Sequence, residues 1–368
     1  MTNIIPYFRV TINFVNFALM KKTPAVAHSG RQSNMELLRI VSMLMVLSVH
    51  IDGASLGLPE LGGDLSGLTS RSIWQLAVES FAIIGVNCFT LISGYFGIRL
   101  RLRNVLVYLF QCVFYAVGIY TVVNCLLRPG HFSWSEWGQS WMVLTHTDLW
   151  YVPAYFCLML LSPFLNAGFD ALSRRRALWV TLGFVAFNVW AGWWWGDKFN
   201  PTGYTVTQLV MMYMIGRCVA AYSDVLTRWP RGRVAAAGLS LYVVLSVLIA
   251  LHSCFDLSRS FAYNSPLVIM SSISLLTAFA AMRFSSNAVN YIARSAFAVY
   301  LLHKAPSVWV GYMKPTVVTL WHHTSLIEFS LWMLVMMAMI YLLAMVIDSL
   351  RRVLSSLLFR KRDLPSLS

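Results

Sequence analysis

Ten stretches of about 20 predominantly apolar residues, at approximately 35–52, 73–97, 104–127, 149–169, 176–196, 204–222, 234–252, 263–283, 290–310 and 325–347, constrain this chain more than any other feature. A run of that length is what an α-helix needs to cross the hydrocarbon core of a bilayer. The runs lack the ten-residue alternation of a membrane barrel. The expected fold is therefore an all-α integral membrane protein of about ten transmembrane helices. Composition excludes an ordinary soluble enzyme, because only 11% of the residues are charged against about 25% in soluble domains.

The formal charge of +14 would suggest a nucleic-acid partner in a soluble protein, so its location matters. With the N-terminus in the cytoplasm, the inner segments hold twenty Lys and Arg residues and the outer ones six, while Arg39 and Arg217 lie within spans. Lys and Arg collect in short cytoplasmic loops. The surplus thus records orientation, with both termini cytoplasmic, and no nucleic-acid partner is expected. Residues 1–34 are expected to form a cytoplasmic or interfacial segment, 35–347 the membrane domain and 348–368 a basic, solvated cytoplasmic tail. Lys21 and Lys22 follow the apolar residues 4–20 rather than precede them, unlike a secretory signal. The six cysteines have no metal-knuckle or redox-pair spacing, so they are read as small hydrophobes and no metal site is expected.

Charged side chains inside spans cost about 2.5–3.5 kcal/mol each on insertion scales, and so mark function by default. The first span carries Glu36, Arg39 and His50. The eleven residues from Arg39 to His50 come within about 20° of three full turns and cover roughly 16 Å, which puts both on one face. Glu36 lies three residues before Arg39, where the two can pair. The plainer account is that Glu36 and Arg39 anchor the helix at one interface and His50 caps it at the other.

This stretch, Asn34 to Ile40 followed by apolar residues up to Val49–His50, resembles the first helix of the membrane-bound acyltransferase 3 family, whose hallmark is an Arg, ten residues and a His. Three more matches follow in order: Gly85–Val86–Asn87–Cys88–Phe89 leading to Ser93–Gly94–Tyr95, Leu149–Trp150–Tyr151 with Pro163, and Ser295 with Tyr300–Leu301–Leu302–His303. Two departures stand out. Glu36 replaces the Asp of many members, and Arg99, Arg101 and Arg103 alternate where members often carry two basic residues three apart. The chain ends shortly after the tenth stretch, so the stand-alone form, without an appended hydrolase-like domain, is expected.

The resemblance implies transfer of an acyl group, most often acetyl, from a cytoplasmic thioester such as acetyl-CoA to a sugar hydroxyl of an envelope polysaccharide or lipid-linked glycan. It implies a multi-pass protein of a bacterial inner membrane, in contact with lipid and without a permanently bound cofactor. The chemistry needs a base for the hydroxyl, and His50 suits that role near neutrality. A transient acyl-imidazole on His50 is the other route. Arg39 is expected to hold Glu36 or position the donor, and His303 and Tyr300 to orient the base or the acceptor. Ser93, Tyr95, Trp150 and Tyr151 are candidates to line the chamber, although the Trp and Tyr rings equally suit an interfacial belt. Arg99, Arg101 and Arg103 are candidates for the donor phosphates, although positive-inside bias also accounts for them. A transporter or flippase for a lipid-linked glycan is the rival class.

Overall fold

A computed structural model of the protein describes residues 31–359 apart from 129, 147, 197 and 198. The expected segment up to residue 30, the tail from residue 360, and Lys198 lie outside the described residues. Among the described residues there are helices and connections but no strand. The principal helices are α1 (Ser33–Ile51), α2 (Ser70–Ala82), α3 (Gly85–Phe96), α4 (Leu102–Thr121), α5 (Tyr151–Ala171), α6 (Arg174–Asn188), α7 (Val206–Ala221), α8 (Arg231–Ser253), α9 (Pro266–Ala281), α10 (Ala296–His303) and α11 (Leu326–Leu358).

Each of the ten apolar stretches falls on helix, but not all on equal terms. Seven lie in helical segments long and apolar enough to cross a membrane: Ser33–Leu56, Ser70–Phe96, Leu102–Leu127, Tyr151–Ala171, Arg174–Trp194, Arg231–Ser253 and Leu326–Leu358. The stretches at 204–222 and 263–283 lie on helices of 16 residues, about 24 Å of helix against a hydrocarbon core of about 30 Å. The stretch at 290–310 is broken. Asn287–Ile292 leads through a 3₁₀ turn into α10, and the chain then turns at Ala305–Pro306 into Pro306–Val308, a π-helical turn Trp309–Met313 and the helix Lys314–His323.

Local chemistry sets the helix starts. Thr69, Ser173 and Thr205 each accept a backbone N–H three residues ahead, and Ser325 with Glu328 forms a reciprocal capping box on α11. α11 continues past residue 347, which corrects the expected boundary of the solvated tail. Asp348 and Arg351 are buried because their charges satisfy each other: Arg351 Nη2 lies 2.6 Å from Asp348 Oδ1, and Ser295 Oγ donates to Oδ2 at 3.1 Å.

Contacts sort the connections to two ends of the bundle. At one end Arg31 bonds the Asn290 carbonyl, Arg103 the Phe359 carbonyl and Asn166 the Ile98 carbonyl, and Arg174 pairs with Asp224. At the other end Arg71 reaches the Thr324 carbonyl, Gln75 reaches Asp52, and Asn124 reaches Ser307. The Arg-rich segments 99–103, 174–176 and 283–294 belong to the first end, and His50 to the second.

Two glycines of the second motif explain the closest helix approaches. A Cβ on Gly94 of α3 would run into the Tyr213 carbonyl of α7, and one on Gly85 would stand 2.7 Å from the Ser42 carbonyl of α1. Small residues at such crossings let backbones touch, which is how helices associate where lipid removes the hydrophobic drive between them.

Candidate active site

The polar stripe on α1 has two unlike ends. At one, Arg39 Nη1 donates to Glu36 Oε2 at 2.7 Å, and Arg31 Nη1 stands 4.0 Å from the same oxygen. Three turns along the unbroken helix, His50 Nδ1 lies 2.7 Å from Nε2 of His303 at the end of α10. His303 is wholly buried, and its Nδ1 is 2.6 Å from the Val299 carbonyl.

That carbonyl fixes the order of protons. A carbonyl only accepts, so His303 carries its proton on Nδ1, and with the ring neutral its Nε2 presents a lone pair. His50 must then donate from Nδ1. Its own Nε2 is left with a free lone pair, which is what a general base needs. The second motif histidine thus determines which nitrogen of the first is basic.

Aromatic rings join the two ends. Tyr300 lies 6.4 Å from the His50 ring, and Trp309 meets it edge-on at 5.8 Å. Tyr151 packs against Tyr300 at 6.2 Å and stacks on Tyr155 at 5.5 Å, while the Tyr155 hydroxyl is 3.2 Å from Ser93 Oγ. Arg39 is within electrostatic reach of both Tyr151 and Tyr155. Trp150 is enclosed between Tyr204, at 4.9 Å, and Tyr263, at 6.0 Å. Trp150 and Tyr151 therefore face the protein interior rather than an interfacial belt.

A cavity of about 480 Å³ opens beside this wall at the arginine end. Gly97, Arg99, Arg103 and Asn104 line its mouth, and Tyr108, Gln111 and Tyr155 lie deeper. Arg101 is not among the lining residues. Tyr95 is two residues past Ser93 and so faces away from it; its ring packs on Phe96 at 5.4 Å, with Arg283 nearby. Of the expected site residues, the structure brings together His50, His303, Tyr300, Tyr151, Ser93 and Arg39, with Glu36 behind Arg39, and leaves Tyr95 and Arg101 apart.

The model of an acyltransferase domain family, acyltransferase 3, matches residues 32–349. The chain belongs to the acyltransferase 3 family. It is a membrane acyltransferase that transfers groups other than aminoacyl groups, and the flippase alternative loses its ground. No curated protein and no solved structure matches it.

In this acyltransferase the family-like motifs do as much holding as lining. Asn87 Nδ2 donates to the Tyr263 carbonyl at 2.9 Å, and Gln208 Nε2 donates to that carbonyl at 2.8 Å and to Asn87 Oδ1 at 3.2 Å. Asn264 Nδ2 bonds the Asn200 carbonyl at 2.7 Å. These buried bonds fix Tyr263 and its neighbour Tyr204, since a satisfied polar network in a dry interior permits few alternatives. Sequence reasoning missed Tyr155, Tyr108, Tyr204, Tyr263 and Trp309. Only Tyr155 carried a usable signal, one turn after Tyr151 on the same helix face.

Proposed function

We propose that this acyltransferase moves an acyl group, most simply acetyl, from a coenzyme A thioester entering at the arginine end to a sugar hydroxyl of an envelope glycan presented at the His50 end. The observation that carries this reading is the ordered chain Val299 carbonyl, His303, His50 with its free Nε2. The basic residues of the first end favour a cytoplasmic face there, the side on which acyl-CoA is found. Arg99 and Arg103 at the cavity mouth suit the donor phosphates, and Arg39, held by Glu36, suits positioning of the donor inside.

The proposed step is direct. His50 Nε2 accepts the hydroxyl proton as the oxygen attacks the thioester carbonyl, and His303 holds the Nδ1 proton of the imidazolium that forms. The C–S bond breaks, and the thiolate takes the proton back from Nε2. Ester and free thiol result with no net proton released. A general base contributes roughly 10²–10⁴-fold.

The test is His50→Ala in the host cell, with membrane insertion confirmed and acetylation of the envelope polysaccharide measured by mass spectrometry. Acetylation should fall at least about 100-fold. Unchanged acetylation in a strain whose variant protein reaches the membrane would remove His50 from the chemistry.

A further inference from the structure

A second cavity, of about 620 Å³, is a groove between α8 and α9 at the arginine end of the bundle. It shares no lining residue with the donor cavity. Arg233, Ala237 and Leu241, four residues apart, form one row along α8, and Met270, Ile273 and Thr277 form the facing row of α9. The floor is made by small residues. A Cβ on Gly238 would stand 2.8 Å from the Ser274 carbonyl and 2.9 Å from Ala278 Cβ, so the two backbones meet there and the longer side chains beside them become walls.

The groove is apolar along its length and polar at one end only. From Arg233 to Leu241 it covers about 12 Å of helix, close to one leaflet of a hydrocarbon core of about 30 Å. Leu241 is 46% and Met270 50% exposed, as befits side chains that meet lipid. The hydroxyl protons of Ser274 and Thr277 are spent on the Ser271 and Ile273 carbonyls of α9 itself. α9, at 16 residues, is shorter than the hydrocarbon core, and local thinning of the bilayer draws headgroups towards the end of such a helix.

The polar end suits an anion. Arg233 is exposed and, among the described residues, belongs to no ion pair. Trp229 lines the groove beside it with the amphipathic ring of an interfacial residue. α8 starts at Arg231 without a side-chain cap, which leaves first-turn N–H groups at the positive end of the helix. No carboxylate lines the groove, and Asp224 in the preceding connection is paired with Arg174, so a cationic headgroup finds no partner here. Positive-inside bias accounts for arginines at this end, but not for one that heads an apolar groove a leaflet deep.

We propose that the groove binds one anionic glycerophospholipid from the leaflet at the arginine end. Its phosphate lies between the Arg233 guanidinium and the start of α8, the Trp229 ring packs at the glycerol level, and one acyl chain follows the groove past Ala237 to Leu241 and Met270. This site is independent of the acceptor that the enzyme uses.

The experiment is native mass spectrometry of the full chain in detergent, titrated with phosphatidylglycerol or with phosphatidylethanolamine of the same acyl chains. Wild type should hold one phosphatidylglycerol with a Kd at least about fivefold below that of phosphatidylethanolamine. Arg233→Gln should bring the two lipids within about twofold of each other. Ala237→Phe, at an exposed position in the groove, should weaken phosphatidylglycerol at least about fivefold by occupying the path of the chain. Arg228→Gln, at the same end but outside the lining, should leave the preference intact. Equal binding of the two lipids by wild type overturns the site without recourse to any variant. No effect of Ala237→Phe overturns the groove as its place, and equal effects of Arg228→Gln and Arg233→Gln reduce it to general attraction by a basic face.

Discussion

The two ends of α1 carry polar groups of opposite character. At the Arg39 end the groups are charged, and the pairing with Glu36 is local in sequence, three residues apart and 2.7 Å in space. At the His50 end they are neutral rings, and the partner, His303, comes from 253 residues away. An ion pair with further arginines nearby suits holding an anion, whereas neutral imidazoles in a dry hydrogen-bond chain suit moving a proton. On the proposed reading one helix separates donor binding from chemistry by about 16 Å.

If the division is real, substitutions at the His50 end lower kcat and those at the Arg39 end raise the donor KM. The largest effect in this comparison belongs to His303→Ala, which frees the His50 tautomer: kcat should fall about 100-fold with donor KM unchanged. His303→Gln, which can still accept from His50 Nδ1, should recover part of that loss. A drop in donor affinity instead would break the division. Next comes Glu36→Gln, which leaves Arg39 without its charged partner; the KM for acetyl-CoA should rise about tenfold at nearly constant kcat. The smallest effect separates the loop arginines. Arg103→Ala should raise that KM about fivefold, whereas Arg101→Ala, outside the cavity lining, should change it less than about twofold. Equal effects of the two would assign the loop to orientation alone.

The same contrast governs what the sequence disclosed. Glu36, Arg39 and His50 were legible because helical periodicity is a local rule and charge in an apolar run stands out. The partnership of His50 with His303 was not legible, since spacing along one helix says nothing about which distant helix packs there. Trp309 was lost for a related reason: the stretch at 290–310 reads as one span, but the turn at Ala305–Pro306 and the π turn after it bring Trp309 back onto His50. Trp150 and Tyr151 fit a belt and a chamber equally well in sequence, and in the structure both rings pack inward, against Tyr300, Tyr204 and Tyr263. Arg351 was placed in a solvated tail because positive charge after an apolar run usually is; Asp348 buries it instead. Of the buried acids Asp52 and Glu79, Asp52 closes the first apolar stretch, where a carboxylate reads as solvated, but Glu79 lies inside the stretch at 73–97 and carried the same signal by which Glu36 stands out.

The order of protons in the histidine chain is open to direct measurement by nitrogen NMR of the ¹⁵N-histidine-labelled protein in lipid nanodiscs, with His50→Gln and His303→Gln used to assign the resonances. The expected spectrum has both rings neutral and protonated on Nδ1, with an unprotonated Nε2 on His50. A His50 ring protonated on Nε2 in the resting protein would contradict its role as the base.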